Sequence, residues 1–144
     1  MLRYQTIPVT PFQQNCSIVW CDETMDGAVI DPGGDLPRLQ AAVQRLGVRL
    51  TQILLTHAHI DHAGGTGTLA RTLGLPIVGP HPGDQFWIDG LAEQAARFGF
   101  APAEPFTPTR WLADGDTVAV GHSTLAVRHC PGHTPGHVVF HSAE

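Results

Sequence analysis

Apolar and β-prone residues are concentrated in three short segments within the first thirty positions of the chain. Segments 3–9 and 15–21 predict two strands, and the turn-rich stretch between them predicts that they pair antiparallel. Segment 28–30 predicts a third strand, which ends at an Asp-Pro-Gly-Gly turn. Residues 50–55 predict a further strand, and its Ile-Leu-Leu end is expected to be buried on both faces.

Helical periodicity first appears after the third predicted strand. Apolar side chains spaced by three, four and three residues predict one helix face, formed by Leu36, Leu39, Val43 and Leu46. We expect Asp35 to cap this helix at its start and Gly47 to end it. A second helix is predicted to end at Gly74, and a third, short amphipathic helix covers 91–98.

The remaining segments predict more strands and one irregular stretch. Residues 76–78 predict a strand, whereas 79–90 are expected to form an irregular excursion. Segments 117–120 and 124–129 alternate apolar and polar residues around a Gly-His turn and predict a hairpin. Segment 138–141 begins another strand. This mixture of strands and interleaved helices predicts an α/β or α+β fold.

Length, charge and cysteine content limit the classes of protein to consider. The chain has 144 residues and 15.4 kDa, which corresponds to a single domain over residues 1–144. The formal net charge is −5, so nucleic acid is not expected as a partner, and no apolar run is long enough to span a membrane. Three cysteines form no closed disulfide set, and the first residues contain no cationic, apolar leader; both features predict a cytoplasmic protein.

A dense group of metal-binding side chains follows the strand at 50–55. His57, His59, Asp61 and His62 lie within six positions. Residues two apart point to opposite sides of a helix, so the first two histidines can converge only in an extended turn. The spacing predicts two adjacent cation sites, one with imidazoles and one with a carboxylate and an imidazole. Such ligands suit zinc, iron or manganese. A turn of solvated histidines, the alternative, does not explain the spacing.

A second group of histidines follows the last strand of the predicted hairpin. Residues 130–137 read Cys-Pro-Gly-His-Thr-Pro-Gly-His, where proline and glycine favour a tight loop. We predict that His133 is the third imidazole ligand and that His137 has a structural or outer role. Cys130 is interpreted as a small buried residue rather than a ligand.

These motifs resemble the signature of the metallo-β-lactamase fold superfamily. The resemblance is carried by His-x-His-x-Asp-His at 57–62, by the glycine pair that follows it at 64–65, and by the flanking segments 29–34 and 130–137. The flanking segments are similar to the glyoxalase II-like (hydroxyacylglutathione hydrolase-like) bacterial subgroup, in its short form without a C-terminal helical domain. The resemblance implies an αββα sandwich with the metals at one edge of two facing sheets.

The resemblance also implies roles for the individual residues. His57, His59 and His133 match the ligands of a first metal, and Asp61 and His62 match ligands of a second. In this family the metals are zinc, with iron or manganese as alternatives, and a metal-bound hydroxide attacks the thioester of an acylated glutathione. Asp61 would orient the attacking water and could accept its proton.

Two residue assignments near this site stay open in the sequence. Asp31 matches a family aspartate near the metals, and its alternative role is that of a turn residue before a proline. Phe86 and Trp87 could form an aromatic wall of the substrate mouth, although packing on the body of the protein is the expected role for at least one ring. His129 could approach the site or face the core, while His81 and His122 are expected to be solvated.

The sequence departs from the family pattern after the second histidine group. The family continues with an aspartate that bridges both metals, further strands and helices, and a final histidine on the second metal. No such positions follow in these residues, so the sequence predicts a truncated form in which the sandwich is incomplete in its C-terminal half. We also expect the exposed sheet edge to promote self-association.

The function predicted from these residues is hydrolysis of a glutathione-type thioester, a small molecule, by a metal-dependent enzyme. Two alternatives remain open. One is a persulfide dioxygenase of the same fold, which would use a single iron. The other is a chain without catalytic activity, as expected for a truncated fragment.

Overall fold

The first half of the chain builds a five-stranded mixed sheet. A computed structural model describes residues 1–144. The strands follow chain order in the sheet: β1 (Leu2–Val9), β2 (Gln14–Cys21), β3 (Asp26–Ile30), β4 (Arg49–Leu54) and β5 (Ile77–Val78). The pairs β1–β2 and β2–β3 are antiparallel, whereas β4 runs parallel to both β3 and β5. All five strands were predicted at nearly these bounds.

The helices cover one face of this sheet. They are α1 (Leu36–Leu46), α2 (Ile60–Ala63), α3 (Thr66–Leu73), α4 (Gln85–Asp89) and α5 (Leu91–Phe98). Leu39, Leu69 and Leu91 are buried in the cluster that the helices share with the sheet. None of these helices has the length and apolar character needed to cross a membrane.

The start of α1 differs from the expectation. Gly47 ends the helix in a left-handed conformation, as predicted, and Leu39 lies in the core. Asp35, however, does not cap the helix, because its own backbone is left-handed with φ 52° and its side chain makes no capping hydrogen bond. Its carboxylate instead accepts the backbone N–H of Thr10 at 2.8 Å. This contact ties the start of α1 to the turn between the first two strands.

Residues 79–90 also differ from the expectation of an irregular excursion. They form a 3₁₀ turn (Pro82–Asp84) that leads directly into α4. The His81 ring accepts the backbone N–H of Gly83 at 3.0 Å and thereby caps the turn. Ile88 is fully buried in the core, so the segment is anchored rather than loose.

The second half of the chain adds a three-stranded antiparallel sheet. It comprises β6 (Thr117–Val120), β7 (Ser123–His129) and β8 (Val138–His141), with β7 in the centre. The predicted hairpin and final strand are therefore confirmed. Val118, Leu125 and Val138 pack against Val19 and Leu54 of the first sheet. The result is a layered order of helices, first sheet and second sheet.

The outer face of the second sheet carries no helix, and alternate side chains there are exposed. The helices, the first sheet and the second sheet correspond to three of the four layers that the resemblance implied. β8 forms one edge of this sheet, and Val139 on it is exposed. Self-association through that edge stays a prediction.

The two sheets meet where the two histidine groups lie. The first histidine loop, residues 56–62, leaves the end of β4, and the second histidine loop, residues 130–137, leaves the end of β7. The backbone N–H of Val138 donates to the carbonyl of Thr56 at 2.8 Å. This bond joins the sheets at one edge and places the two loops side by side.

Candidate metal centre

Three histidines from the two loops converge at this edge. The ring centroids of His57, His59 and His133 lie 4.8–5.1 Å from one another. One ring nitrogen from each lies within 4.8 Å of the others, close to the maximum of roughly 4 Å that two zinc–nitrogen bonds can span. The structure thus brings together the three imidazoles that the sequence grouped as one ligand set.

The protonation of His57 is fixed by its neighbours. The Thr56 hydroxyl lies 2.5 Å from Asp31 Oδ2, to which it donates, and 2.9 Å from His57 Nδ1. Because its single proton is used on the carboxylate, the hydroxyl oxygen must accept from Nδ1–H of the ring. The lone pair of His57 is therefore on Nε2, which is buried and has no hydrogen-bond partner.

The electrostatics of the cluster keep this imidazole neutral. His57 is only 3% exposed, and burial, followed by the neighbouring imidazoles, lowers its pKa to about 2. Burial and the neighbouring His133 also lower the pKa of His59 and of His137. An orphaned, neutral imidazole nitrogen in a group of histidines is the donor set that a transition-metal ion requires. The residues present therefore fit a metal.

Asp61 and His62 lie beside this group. The Nε2 atom of His62 is 3.5 Å from Asp61 Oδ2, while its Nδ1 atom is 2.9 Å from Asp31 Oδ2. Burial lowers the pKa of His62, but the hydrogen bond and charge of Asp31 outweigh it, and the net pKa is raised. The tightest group around His62 consists of Asp31 and His57 rather than Asp61. Asp61 and His62 can still face one ion, since Nε2 points to the Asp61 carboxylate.

Asp31 acts on the site from behind these histidines. Its carboxylate accepts the Thr56 N–H at 2.8 Å and the Thr56 hydroxyl, and it pairs with His62 Nδ1. It is 4% exposed. Of the two roles that the sequence left open, the geometry favours the outer role, because Asp31 orients one imidazole directly and a second through Thr56.

Two further polar residues, neither of them predicted from the sequence, position the first histidine loop. Gln94 on α5 accepts the backbone N–H of Ile60 at 3.0 Å and donates to the carbonyl of Trp87. Asp84 is fully buried and accepts the N–H of Ala58 at 3.0 Å. The only local signal for Asp84 is a carboxylate placed just before an apolar stretch.

A cavity of about 580 Å³ opens beside the histidines. Its polar wall includes His59, Asp61 and His133, and Arg97 contributes a guanidinium. Four aromatic side chains line the remainder: Phe12, Phe86, Trp87 and Phe98. The Trp87 ring meets the His59 ring edge-on with centroids 4.7 Å apart. Trp87 therefore packs against a candidate ligand, the role expected for at least one of the two rings, and both Trp87 and Phe86 line the cavity.

Several other predictions about single residues are wrong. Cys130 is exposed rather than buried, because it starts a loop that leaves the sheet. His129 faces neither the site nor the core: its Nε2 lies 2.8 Å from the carbonyl of Pro135. His81 is only partly exposed, because its ring stacks on the His129 ring with centroids 3.8 Å apart. His122 is exposed as expected and pairs with Glu23.

A layered sandwich with two histidine loops at one edge of its sheets is the architecture of a metal-binding α/β enzyme class. The family model for the metallo-β-lactamase superfamily matches residues 9–144. The chain therefore belongs to the metallo-β-lactamase superfamily, as the resemblance in the sequence predicted.

Individual relatives agree with this assignment. The chain is 41% identical over 140 residues to the hydroxyacylglutathione hydrolase GloC of Haemophilus influenzae. The aligned region covers 96% of this chain and 66% of that protein. It matches the BLEG-1 B3 metallo-β-lactamase with TM-score 0.83 and 30% identity, over 97% of this chain and 67% of that one. The di-iron-bound form of TTHA1623 matches with TM-score 0.83 and 36% identity, over 96% and 66%. The chain spans about two thirds of the length of these relatives.

Proposed function

We propose that this protein is a metal-dependent hydrolase that cleaves a glutathione-type thioester. The observation that carries this proposal is the convergence of His57, His59 and His133 around the unpartnered Nε2 of His57. Such an atom, buried without a hydrogen bond, costs free energy unless a ligand meets it. The proposed first ion is held by these three imidazoles, and Asp61 with His62 face a second.

The reaction class follows from what these ligands leave available. When bound, the metal lowers the pKa of a coordinated water to about 7 and polarises a carbonyl oxygen. Zinc is the proposed metal, with iron and manganese as alternatives, and the di-iron-bound relative supports keeping iron among them. Three protein ligands leave a position open for water or substrate, as in catalytic rather than structural zinc sites.

The chain's own residues orient the reactants in this proposal. The Asp61 carboxylate lines the cavity and is proposed to hold the attacking water and accept its proton. The aromatic wall of Phe86 and Trp87 would contact the acyl part of the substrate, and Arg97 offers one charge to a substrate carboxylate. The catalytic role of Asp61 needs only a hydrogen-bond distance to water, since proton transfer occurs along such a bond.

The thioester substrate is supported by the relatives. Hydroxyacylglutathione hydrolases include the Haemophilus influenzae protein at 41% identity and one from Rhodospirillum rubrum at 35% identity. Both are longer than this chain, so its activity and substrate are proposals. We also propose that the protein acts in the cytoplasm, which agrees with three cysteines that are all unpaired.

A second candidate is a mononuclear iron enzyme that oxidises a glutathione persulfide. It is favoured by the contrast between the two sites, because one has three histidines and the other only Asp61 and His62. Iron content, oxygen consumption and sulfite production from glutathione persulfide would distinguish it from a hydrolase.

The proposal is tested by metal content per chain together with hydrolysis of S-lactoylglutathione. We predict that His59→Ala loses the first ion and turnover, because it removes one of three ligands. Cys130→Ala should retain both, and His122→Ala is the matched control, because it removes an exposed histidine outside the centre. A correctly folded wild-type protein without metal would contradict any catalytic role. Metal loss in Cys130→Ala but not in His59→Ala would contradict the ligand assignment.

A further inference from the structure

Asp84 is a buried carboxylate that no salt bridge neutralises. It ends the 3₁₀ turn before α4 and has no exposed surface. Its Oδ2 atom accepts the N–H of Ala58 at 3.0 Å and the hydroxyl of Thr134 at 2.9 Å. Its Oδ1 atom accepts the N–H of Gly136 at 2.7 Å. A charge this deeply buried is retained only where such donors satisfy it.

The donors to Asp84 come from both histidine loops. Ala58 lies between His57 and His59 in the first loop. Thr134 directly follows His133 in the second loop, and Gly136 directly precedes His137. One carboxylate therefore bonds to residues adjacent to each of the three converging imidazoles. The backbone of the same turn adds a contact, because the N–H of His81 donates to the carbonyl of Gly136 at 3.1 Å.

The turn and the second loop are in direct contact at glycines. A Cβ atom on Gly136 would lie 2.5 Å from the backbone N of Asp84 and from the carbonyl oxygen of His81. A Cβ atom on Gly83 would lie 3.0 Å from the backbone of Pro135. This close approach is possible only without side chains, and it sets the position of the second loop relative to Asp84.

The charge of Asp84 also acts on the histidines. Its carboxylate bonds to Ala58, next to His59, and to Gly136, next to His137. A buried negative charge beside these rings attracts a divalent cation held between them. Asp84 is thus placed to assist a metal by geometry and by charge.

We propose that Asp84 is a positioning residue of the metal centre, which holds the two histidine loops at the separation that one ion requires. This inference rests on the metal site of the proposed function. Asp84 does not touch the ion or the substrate in this account. It acts through Ala58, Thr134 and Gly136, and a role limited to stabilising the fold is the alternative.

The test measures zinc affinity by competition with a chromophoric chelator, in the intact protein and in variants. Asp84→Asn retains the size of the side chain but replaces one acceptor oxygen by an NH₂ donor that opposes an N–H or O–H group. Asp89→Asn is the matched control, because it makes the same change on α4 at an exposed carboxylate that accepts a hydrogen bond from Gln85 and none from either histidine loop. Thr134→Val removes a single donor and serves if Asp84→Asn does not fold.

The expected result is a loss of zinc affinity of about 10-fold or more in Asp84→Asn, the effect typical of residues that orient metal ligands. Thr134→Val should lose less and Asp89→Asn nothing. The absorption spectrum of cobalt-substituted Asp84→Asn should differ from that of the wild type at saturation, since the ligands are misplaced. A fold-only role would lower the unfolding temperature of the metal-free protein without changing that spectrum.

Two outcomes separate the possible failures. If the wild type binds zinc, and Asp84→Asn (or Thr134→Val, where the former does not fold) binds it with the same affinity and spectrum, the positioning role is overturned while the metal site stands. If the folded wild type binds no zinc, cobalt or iron, the proposed function fails, and the role of Asp84 fails with it.

Discussion

The two histidine loops contribute to one site but are held in different ways. In the first loop His57, Ala58 and Ile60 are buried, and three side chains from elsewhere in the fold bond to its residues: Asp31, Asp84 and Gln94. In the second loop most residues are exposed, including His133. Only Thr134 and Gly136 are buried there, and both bond to Asp84.

Because of this difference, we expect the two loops to have different roles in binding the ion. The first loop is fixed by the core and offers its imidazoles in a set geometry before any ion is bound. The second loop completes the ligand set, and its position depends on few contacts. Changes near the first loop should therefore act on the stability of the fold, whereas changes near the second should act mainly on metal affinity.

The largest effect is expected from Gly33→Ala, beside the first loop. A Cβ atom on Gly33 would overlap the carbonyl oxygen of Asp61, and a backbone atom has no room to yield. We expect a loss of about 3 kcal/mol or more in the free energy of unfolding, measured by urea denaturation of the metal-free protein. Gly67→Ala is the control, since its nearest neighbours would be 3.8 Å away. Wild-type stability of Gly33→Ala would show that the first loop is loosely held.

A smaller loss of stability is expected from Gly136→Ala in the second loop. The added Cβ atom would push the loop from Asp84 and His81, at a cost of about 2 kcal/mol. Zinc affinity should fall by about 10-fold, because His133 moves with the loop. Chelator competition and urea denaturation on the same samples measure the two effects. A destabilisation as large as that of Gly33→Ala, with zinc affinity intact, would reverse the expected roles of the two loops.

The smallest effect is a pH dependence that originates in the first loop. Because the pKa of His57 is lowered to about 2 in the folded state, the unfolded chain binds a proton below about pH 6.5 that the folded chain does not. The stability that this group contributes is complete above that pH and is lost on acidification. His62, with a raised pKa, acts in the opposite sense: its contribution is present below about pH 6.5 and is lost as the pH rises.

The measurement is the change in unfolding free energy of the metal-free protein between pH 6 and pH 5. We expect His57 to account for about 1 kcal/mol of the loss, so that His57→Gln has the shallower slope. His122→Gln should leave the slope unchanged, because the raised pKa of this exposed residue places its titration above this range. Equal slopes in wild type and His57→Gln would show that His57 is protonated normally in the folded state.

Strong local patterns allowed most of the fold to be predicted from the sequence. The strands and the apolar face of α1 were predicted from the spacing of apolar residues, and in the structure Leu39 lies in the core while Leu36 packs against it. The segment at 79–90 was missed because a three-residue turn and a five-residue helix are too short to show a period. The carboxylate of Asp35 was misassigned because its partner, Thr10, is distant in sequence.

For the same reason, only part of the candidate site could be predicted from the sequence. His57, His59 and His133 could be grouped because ligand residues are recognisable by type and spacing, and the structure brings them together. Asp84 could not be found, because it acts on backbone and hydroxyl donors 26, 50 and 52 positions away. A carboxylate just before an apolar stretch, its one local feature, does not distinguish such a residue from an ordinary turn residue. Only the folded chain shows which buried carboxylate joins the two loops.

The proposed metal centre requires that imidazoles from both loops share one ion. Diffraction from crystals of the zinc-loaded protein, recorded at the zinc absorption edge, tests it most directly. We predict an anomalous peak about 2.0–2.1 Å from one ring nitrogen each of His57, His59 and His133. A peak bound by Asp31 and His62 without His133, or no peak between the loops of the folded protein, would contradict it.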